Sequence, residues 1–126
     1  MVDVIKTTAA PAAIGPYSQG VVMGNMVYTS GQIPVNPADG MIPSTIEEQT
    51  KQSLDNVKAV LEAAGSSMDK VVKTTVFIQD MATFAKVNEI YASYFCGPVL
   101  PARSCVEVAK LPKGVLIEIE VVAVKD

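Results

Sequence analysis

The sequence predicts an α/β fold of the α+β kind: a mixed β-sheet with two helices packed on one face. Three observations carry that expectation. Short β-branched and aliphatic runs recur along the chain, two longer segments carry apolar residues at helical spacing, and Gly, Pro or Asn punctuates the joins between them. The predicted order is β-hairpin, α, β, α, β, β. At 126 residues the chain is expected to be one domain spanning 1–126, long enough to bury a core without staples.

Each element has its own justification. Residues 19–31, "QGVVMGNMVYTSG", read as a hairpin, because two apolar runs flank Gly24-Asn25, a pair that tolerates positive φ. The stretch "NPADG" is a turn. A helix follows, with Ser44 or Thr45 as cap and Glu47 or Glu48 completing a capping box. Leu54, Val57, Leu61 and Ala64 fall on one face of it, and Gly65 suits its end. Residues 71–79, "VVKTTVFIQ", read as a strand. Asp80 caps a second helix with Phe84, Val87, Tyr91 and Phe95 on one side, stopped by Pro98 and Pro101. "ARSCVEVA" is the next strand, 111–114 a turn, and "VLIEIEVVAV" the last strand.

Composition narrows the chemistry. Histidine is absent, which removes the usual general base, the usual zinc ligand and any Ser-His or Cys-His pair. Cys96 and Cys105 form neither a CxxC motif nor a disulfide framework. A net charge of −3, with both signs mixed along the chain, argues against nucleic acid as a partner. No apolar run approaches the ~20 residues of a membrane helix, so no membrane partner is expected. The early Asp3 and the lack of a signal-like apolar segment point to the cytoplasm. Hydrophobic residues make up 49 % of the chain, a surplus that predicts burial between subunits.

Strand alternation then sorts the polar groups. Arg103, Cys105 and Glu107 share one face of their strand. In the last strand Val115, Ile117, Ile119 and Val121 face the helices, leaving Glu118 and Glu120 in an apolar stripe on the other side. If these two strands form a hairpin, Arg103 and a glutamate face one pocket. Arg103 is the only arginine; the other nine basic residues are lysines. A plain salt bridge is one reading of it. Anion capture is the other, because a guanidinium grips a carboxylate through two parallel hydrogen bonds and an ammonium does not.

The other polar candidates carry alternatives too. Cys105 is a nucleophile or, with no histidine to activate it, a small buried hydrophobe. Asn88 lies on the apolar side of its helix and needs partners, either a loop or a substrate. Tyr17, after a rigid Gly-Pro, forms an aromatic wall or simply packs. Ser30 and Gly31 in "TSGQIP" offer a hydroxyl and a bare amide, or only a strand end.

Taken together, "AIGPYSQG", "TSGQIPVNP", "QSLDNVKAVLEAAG", "VVKTTVFIQD", "PARSCVEVAKLP" and "IEIE" resemble the reactive intermediate deaminase family, also called Rid or YjgF. The motifs span nearly the whole chain in family order, and "ARSCVEVAKLPK" carries the arginine of the deaminating branch. The resemblance implies a chorismate-mutase-like fold, a homotrimer and pockets at subunit interfaces. It implies a hydrolase that converts 2-imino acids and their enamine tautomers, such as 2-iminobutanoate and 2-iminopropanoate, to 2-oxo acids and ammonia. Pyridoxal-phosphate enzymes that dehydrate threonine and serine release such imines, which places the activity in amino-acid metabolism. By motif, Arg103 would grip the substrate carboxylate and Glu118 would orient water, with Tyr17, Ser30, Gly31, Asn88 and Cys105 lining the pocket. The segment "CGPVL" at 96–100 departs from the pattern, being shorter than is usual and carrying Cys96.

That chemistry needs no metal or cofactor, because a protonated imine carbon is already electrophilic. Desolvation is expected to raise the pKa of Glu118 and Arg103 to lower it. Competing readings are a non-catalytic sensor of 2-oxo acids and other small carboxylates, a chorismate mutase, for which one arginine is poor provision, and a ribonuclease or chaperone.

Overall fold

A computed structural model describes residues 1–125. Six strands form one sheet: β1 (Val2–Ile5), β2 (Gly20–Met23), β3 (Met26–Thr29), β4 (Val71–Ile78), β5 (Ala102–Glu107) and β6 (Ile117–Val124), ordered β1-β2-β3-β6-β4-β5. Helices α1 (Ile46–Ala63) and α2 (Phe84–Tyr94) both lie on one side of it.

The predicted hairpin is β2–β3, closed by Met23 opposite Met26, with Gly24 at φ 62°. Thr45 caps helix α1: its Oγ1 accepts the Glu48 amide at 3.1 Å, and the hydroxyl, in place of the backbone N–H of a capping box, donates to the Glu48 carboxylate at 3.2 Å. Gly65 follows the helix at φ 82°. Asp80 accepts the Ala82 amide at 2.9 Å, capping a 3₁₀ turn (Met81–Thr83) that leads into α2. Strand β1 was not among the predicted elements. It is four residues long and exists through its antiparallel pairing with β2, a partner no local signal reveals.

The expected hairpin between β5 and β6 is not formed. Strand β4 lies between them, antiparallel to β6 and parallel to β5. The parallel pair follows from the β4–α2–β5 crossover, since a helical connection returns the chain in its starting direction.

The core lies between the sheet and α1. Leu54, Val57, Val60 and Leu61 of α1 pack on Val27, Val76, Ile78, Ile117, Ile119, Val121 and Ala123, all essentially solvent-free. By contrast, α2 has one fully buried residue, Val87. Its remaining apolar side chains cover the β5 edge only in part. The opposite sheet face is open and largely apolar: Val4, Val21, Tyr28 and Val122 form one row across four strands. Val4 is 67 % exposed and Tyr28 45 %. No helix among the described residues is long and apolar enough to cross a membrane.

Candidate functional site

The predicted residues gather in two places, one on each face of the sheet. The first is centred on Arg103. Its register partner Thr74 is buried on the helix side, as are Val76 and Ile78 opposite Cys105 and Glu107. Alternation therefore aims Arg103 and Cys105 at α2, not at open sheet. There Phe84, Asn88 and Tyr91, at positions i, i+4 and i+7, present one helix face. The guanidinium carbon lies 5.2 Å from the Phe84 ring centre and 4.8 Å from that of Tyr91. Arg103 Nη1 donates to Asn88 Oδ1 at 2.6 Å.

This engages one of the guanidinium's five donors with a neutral acceptor. Arg103 forms no ion pair with a carboxylate among the described residues. The plain salt bridge is thus not formed, and an exposed cation stands oriented with donors to offer.

Cys105 packs against the core edge. Burial pushes its thiol up and Arg103 opposes only in part, so it remains a thiol, in keeping with a small hydrophobe. Glu107 turns to fold maintenance, accepting the Met81 amide at 2.8 Å.

The second place is built around Glu118 on the open face. Gln32 and Ile119 exchange two backbone hydrogen bonds, 2.7 and 3.2 Å, which lay the 30–32 segment against the start of β6. Gly31 then sits so close to Glu118 that a β-carbon there would fall 1.9 Å from Oε2. Burial pushes the Glu118 carboxyl up, and the like charge of Glu120 pushes it the same way. The expected downward pull of Arg103 is absent, because the sheet separates the two groups.

Gly31 also lines a cleft of about 220 Å³ with Tyr17, Gln32, Asn36 and Lys113. Tyr17 is half exposed there. Ser30 is not part of that lining: its hydroxyl donates to the Ser18 carbonyl at 2.5 Å and its amide to Gln19 at 2.9 Å. It fastens the loop that carries Tyr17. Buried Gln19 extends the fastening, donating to the carbonyls of Thr7, Ala10 and Pro11.

Within one chain, then, Arg103, Asn88 and Cys105 are together, Tyr17, Gly31 and Glu118 are together, and the two sets do not meet. Their parity proves it: Arg103 aligns with Thr74 and Val121, whereas Glu118 aligns with Phe77 and Val106. Sequence reasoning placed Phe84 and Tyr91 in the core and missed that they flank Arg103, although their spacing around Asn88 was visible. Gln19 and Lys113 carried no such signal.

Comparisons with known proteins agree with this architecture. A family model described as Endoribonuclease L-PSP matches residues 7–125. The chain is 58 % identical over 127 aligned positions to the 2-iminobutanoate/2-iminopropanoate deaminase of Escherichia coli K12, covering 99 % of each. The crystal structure of E. coli TdcF with bound serine is similar at TM-score 0.95 and 52 % identity, over 98 % of this chain and 99 % of that one. The structure of the E. coli YjgF gene product gives 0.95 and 56 %, with the same coverage.

Proposed function

The chain belongs to the Endoribonuclease L-PSP family, the YjgF/Rid group, and from that premise we propose that it hydrolyses 2-imino acids to 2-oxo acids and ammonia. The name of its E. coli deaminase relative supports 2-iminobutanoate and 2-iminopropanoate as substrates. One observation carries the reading: Arg103, the sole arginine, is held by two rings and an amide yet has no carboxylate partner among the described residues. Serine, bound by TdcF, carries the α-carboxylate that such a fork fits.

The chemistry follows from what each group offers. Arg103 takes the substrate carboxylate in two parallel hydrogen bonds, which fixes C2 of the protonated imine. Glu118, ionised, accepts a proton from a water as its oxygen attacks C2, and the C=N π electrons settle on nitrogen. The proton passes to the amine of the carbinolamine. The C–N bond breaks, ammonia leaves with the bonding pair, and the hydroxyl proton departs as the 2-oxo group forms. Tyr17 and Gly31 bound the space for the substrate tail, and Asn88 and Cys105 support the arginine side. No cofactor enters these steps.

Because Arg103 and Glu118 occupy opposite faces of one sheet, the working site combines the Arg103 side of one subunit with the Glu118 side of another. A homotrimer of single-domain subunits, each 1–126, provides three such interfaces and covers the apolar row of Val4, Val21, Tyr28 and Val122. We place the protein in the cytoplasm, with no nucleic-acid or membrane partner.

The test is trapping, as semicarbazone, of the imine released by a threonine dehydratase. Wild type lowers the trapped imine; Arg103→Ala and Glu118→Gln do not. Co-refolding the two inactive variants at equal amounts restores about a quarter of the sites, each with an intact arginine and an intact glutamate from different subunits. Two outcomes refute parts of the reading. Wild type that binds 2-oxobutanoate but leaves the imine untouched is a sensor, and failure of the variants to complement rules out a site that joins Arg103 of one subunit to Glu118 of another.

A further inference from the structure

We propose that Tyr91 is a positioning residue for Arg103, and that Thr74 locks it; this rests on the reading of Arg103 as the carboxylate clamp. Arg103 lies on an edge strand, exposed, with a long side chain of many rotamers. Such a side chain forfeits rotamer entropy when fixed on a ligand, unless its pose is prepared beforehand. Here it is prepared. The Tyr91 ring lies under the guanidinium, Phe84 lies on another side, and Asn88 takes one donor.

A ring alone is free to tilt. That of Tyr91 is held at both ends. Its hydroxyl and that of Thr74 are 2.8 Å apart, and Thr74 is fully buried in β4. Its other flank meets the Phe95 ring at 4.6 Å between centres. Thr74 is also the parallel register partner of Arg103 itself. The strand that sets the height of Arg103 thus supplies the hydroxyl that orients the ring beneath it, and the two cannot shift independently. A phenylalanine at 91 would fill the same volume and touch the same guanidinium, so packing does not explain the hydroxyl. Fixing the ring plane does.

The prediction separates binding from turnover. A clamp that grips substrate and transition state alike governs KM more than kcat. Tyr91→Leu is expected to raise KM for the imine about tenfold, with kcat within about threefold of wild type. Tyr91→Phe and Thr74→Val each raise KM about threefold, and the double variant is no worse than either, because one lock is broken once. Thr74→Ser restores wild-type KM. Calorimetric binding of 2-oxobutanoate is expected to weaken in the same order.

Should Tyr91→Leu fail to fold, the volume-conserving pair carries the test. Wild-type KM in both Tyr91→Phe and Thr74→Val overturns the proposal, as does a loss that multiplies in the double variant. Full activity in Arg103→Ala is a different failure: it removes the clamp reading itself.

Discussion

Replacing Gly31 with alanine tests the Glu118 side of the site with one methyl group. Gly31 is not among the glycines with positive φ, so alanine suits its backbone. The obstacle is the Glu118 carboxylate, whose Oε2 would lie 1.9 Å from the new β-carbon and whose carboxyl carbon would lie 2.7 Å away. To reach even a tight contact of about 3 Å, the carboxylate must retreat by roughly 1 Å. It is the free end of a flexible side chain, so the fold yields easily and stability should change by less than about 1 kcal/mol.

Catalysis is less forgiving. A displacement of ~1 Å in a catalytic group costs on the order of 10²-fold, or about 2.7 kcal/mol in the barrier. The assay is release of 2-oxobutanoate at saturating imine, where kcat of Gly31→Ala should fall ~10²-fold. A crowded substrate would lower the rate too, and Glu118→Ala separates the causes. That background lacks the oxygen the methyl strikes, so adding Gly31→Ala should change its rate less than about twofold. A wild-type kcat in the single variant, or an undiminished loss in the Glu118→Ala background, refutes the argument.

Four more expectations follow, from three variants. Glu120 raises the Glu118 pKa by like charge, so Glu120→Gln should move the acid limb of the kcat/KM profile to lower pH. The folded state then prefers protonated Glu118, so ionisation lowers stability as pH rises through its raised pKa, and Glu120→Gln should reduce that loss in melts across this range. Asn56 is buried and donates to the Ile33 and Val35 carbonyls at 3.0 and 2.9 Å; Asn56→Ala should lower unfolding free energy by about 1–3 kcal/mol in denaturant titrations, and an unchanged midpoint would show that water replaces it. Val122→Asp puts a charge in the apolar row, and sedimentation should show monomers that keep their circular dichroism but lose imine hydrolysis; an intact trimer would mean that the row lies outside the interface.

Much of the fold was legible because its signals are local. The Gly24-Asn25 turn, the Thr45 cap on Glu48 and the period-two burial of Ile117, Ile119 and Val121 each depend on residues a few positions apart. Strand β1 was not legible, because four residues form a strand only when β2 supplies the hydrogen bonds. The lone arginine and the missing histidines singled out Arg103 and Glu118 and limited the chemistry open to the chain. The motif resemblance pointed to the family. Alternation also showed correctly which residues share a face within β5 and within β6.

What alternation does not carry is how the faces of two strands relate. That depends on which strand lies between them and in which direction each runs. The insertion of β4, parallel to β5 and antiparallel to β6, turned Arg103 toward α2 and left Glu118 on the open side. The same long-range packing brought Phe84 and Tyr91 around the guanidinium and pressed the Glu118 carboxylate onto Gly31. The sequence by itself determined both α-helices and every strand but β1 and singled out the candidate groups, because hydrogen bonding and side-chain period act over a few residues. Only the tertiary structure decided that these groups lie in two clusters on opposite faces of the sheet, because strand order is set by burial summed over the whole chain.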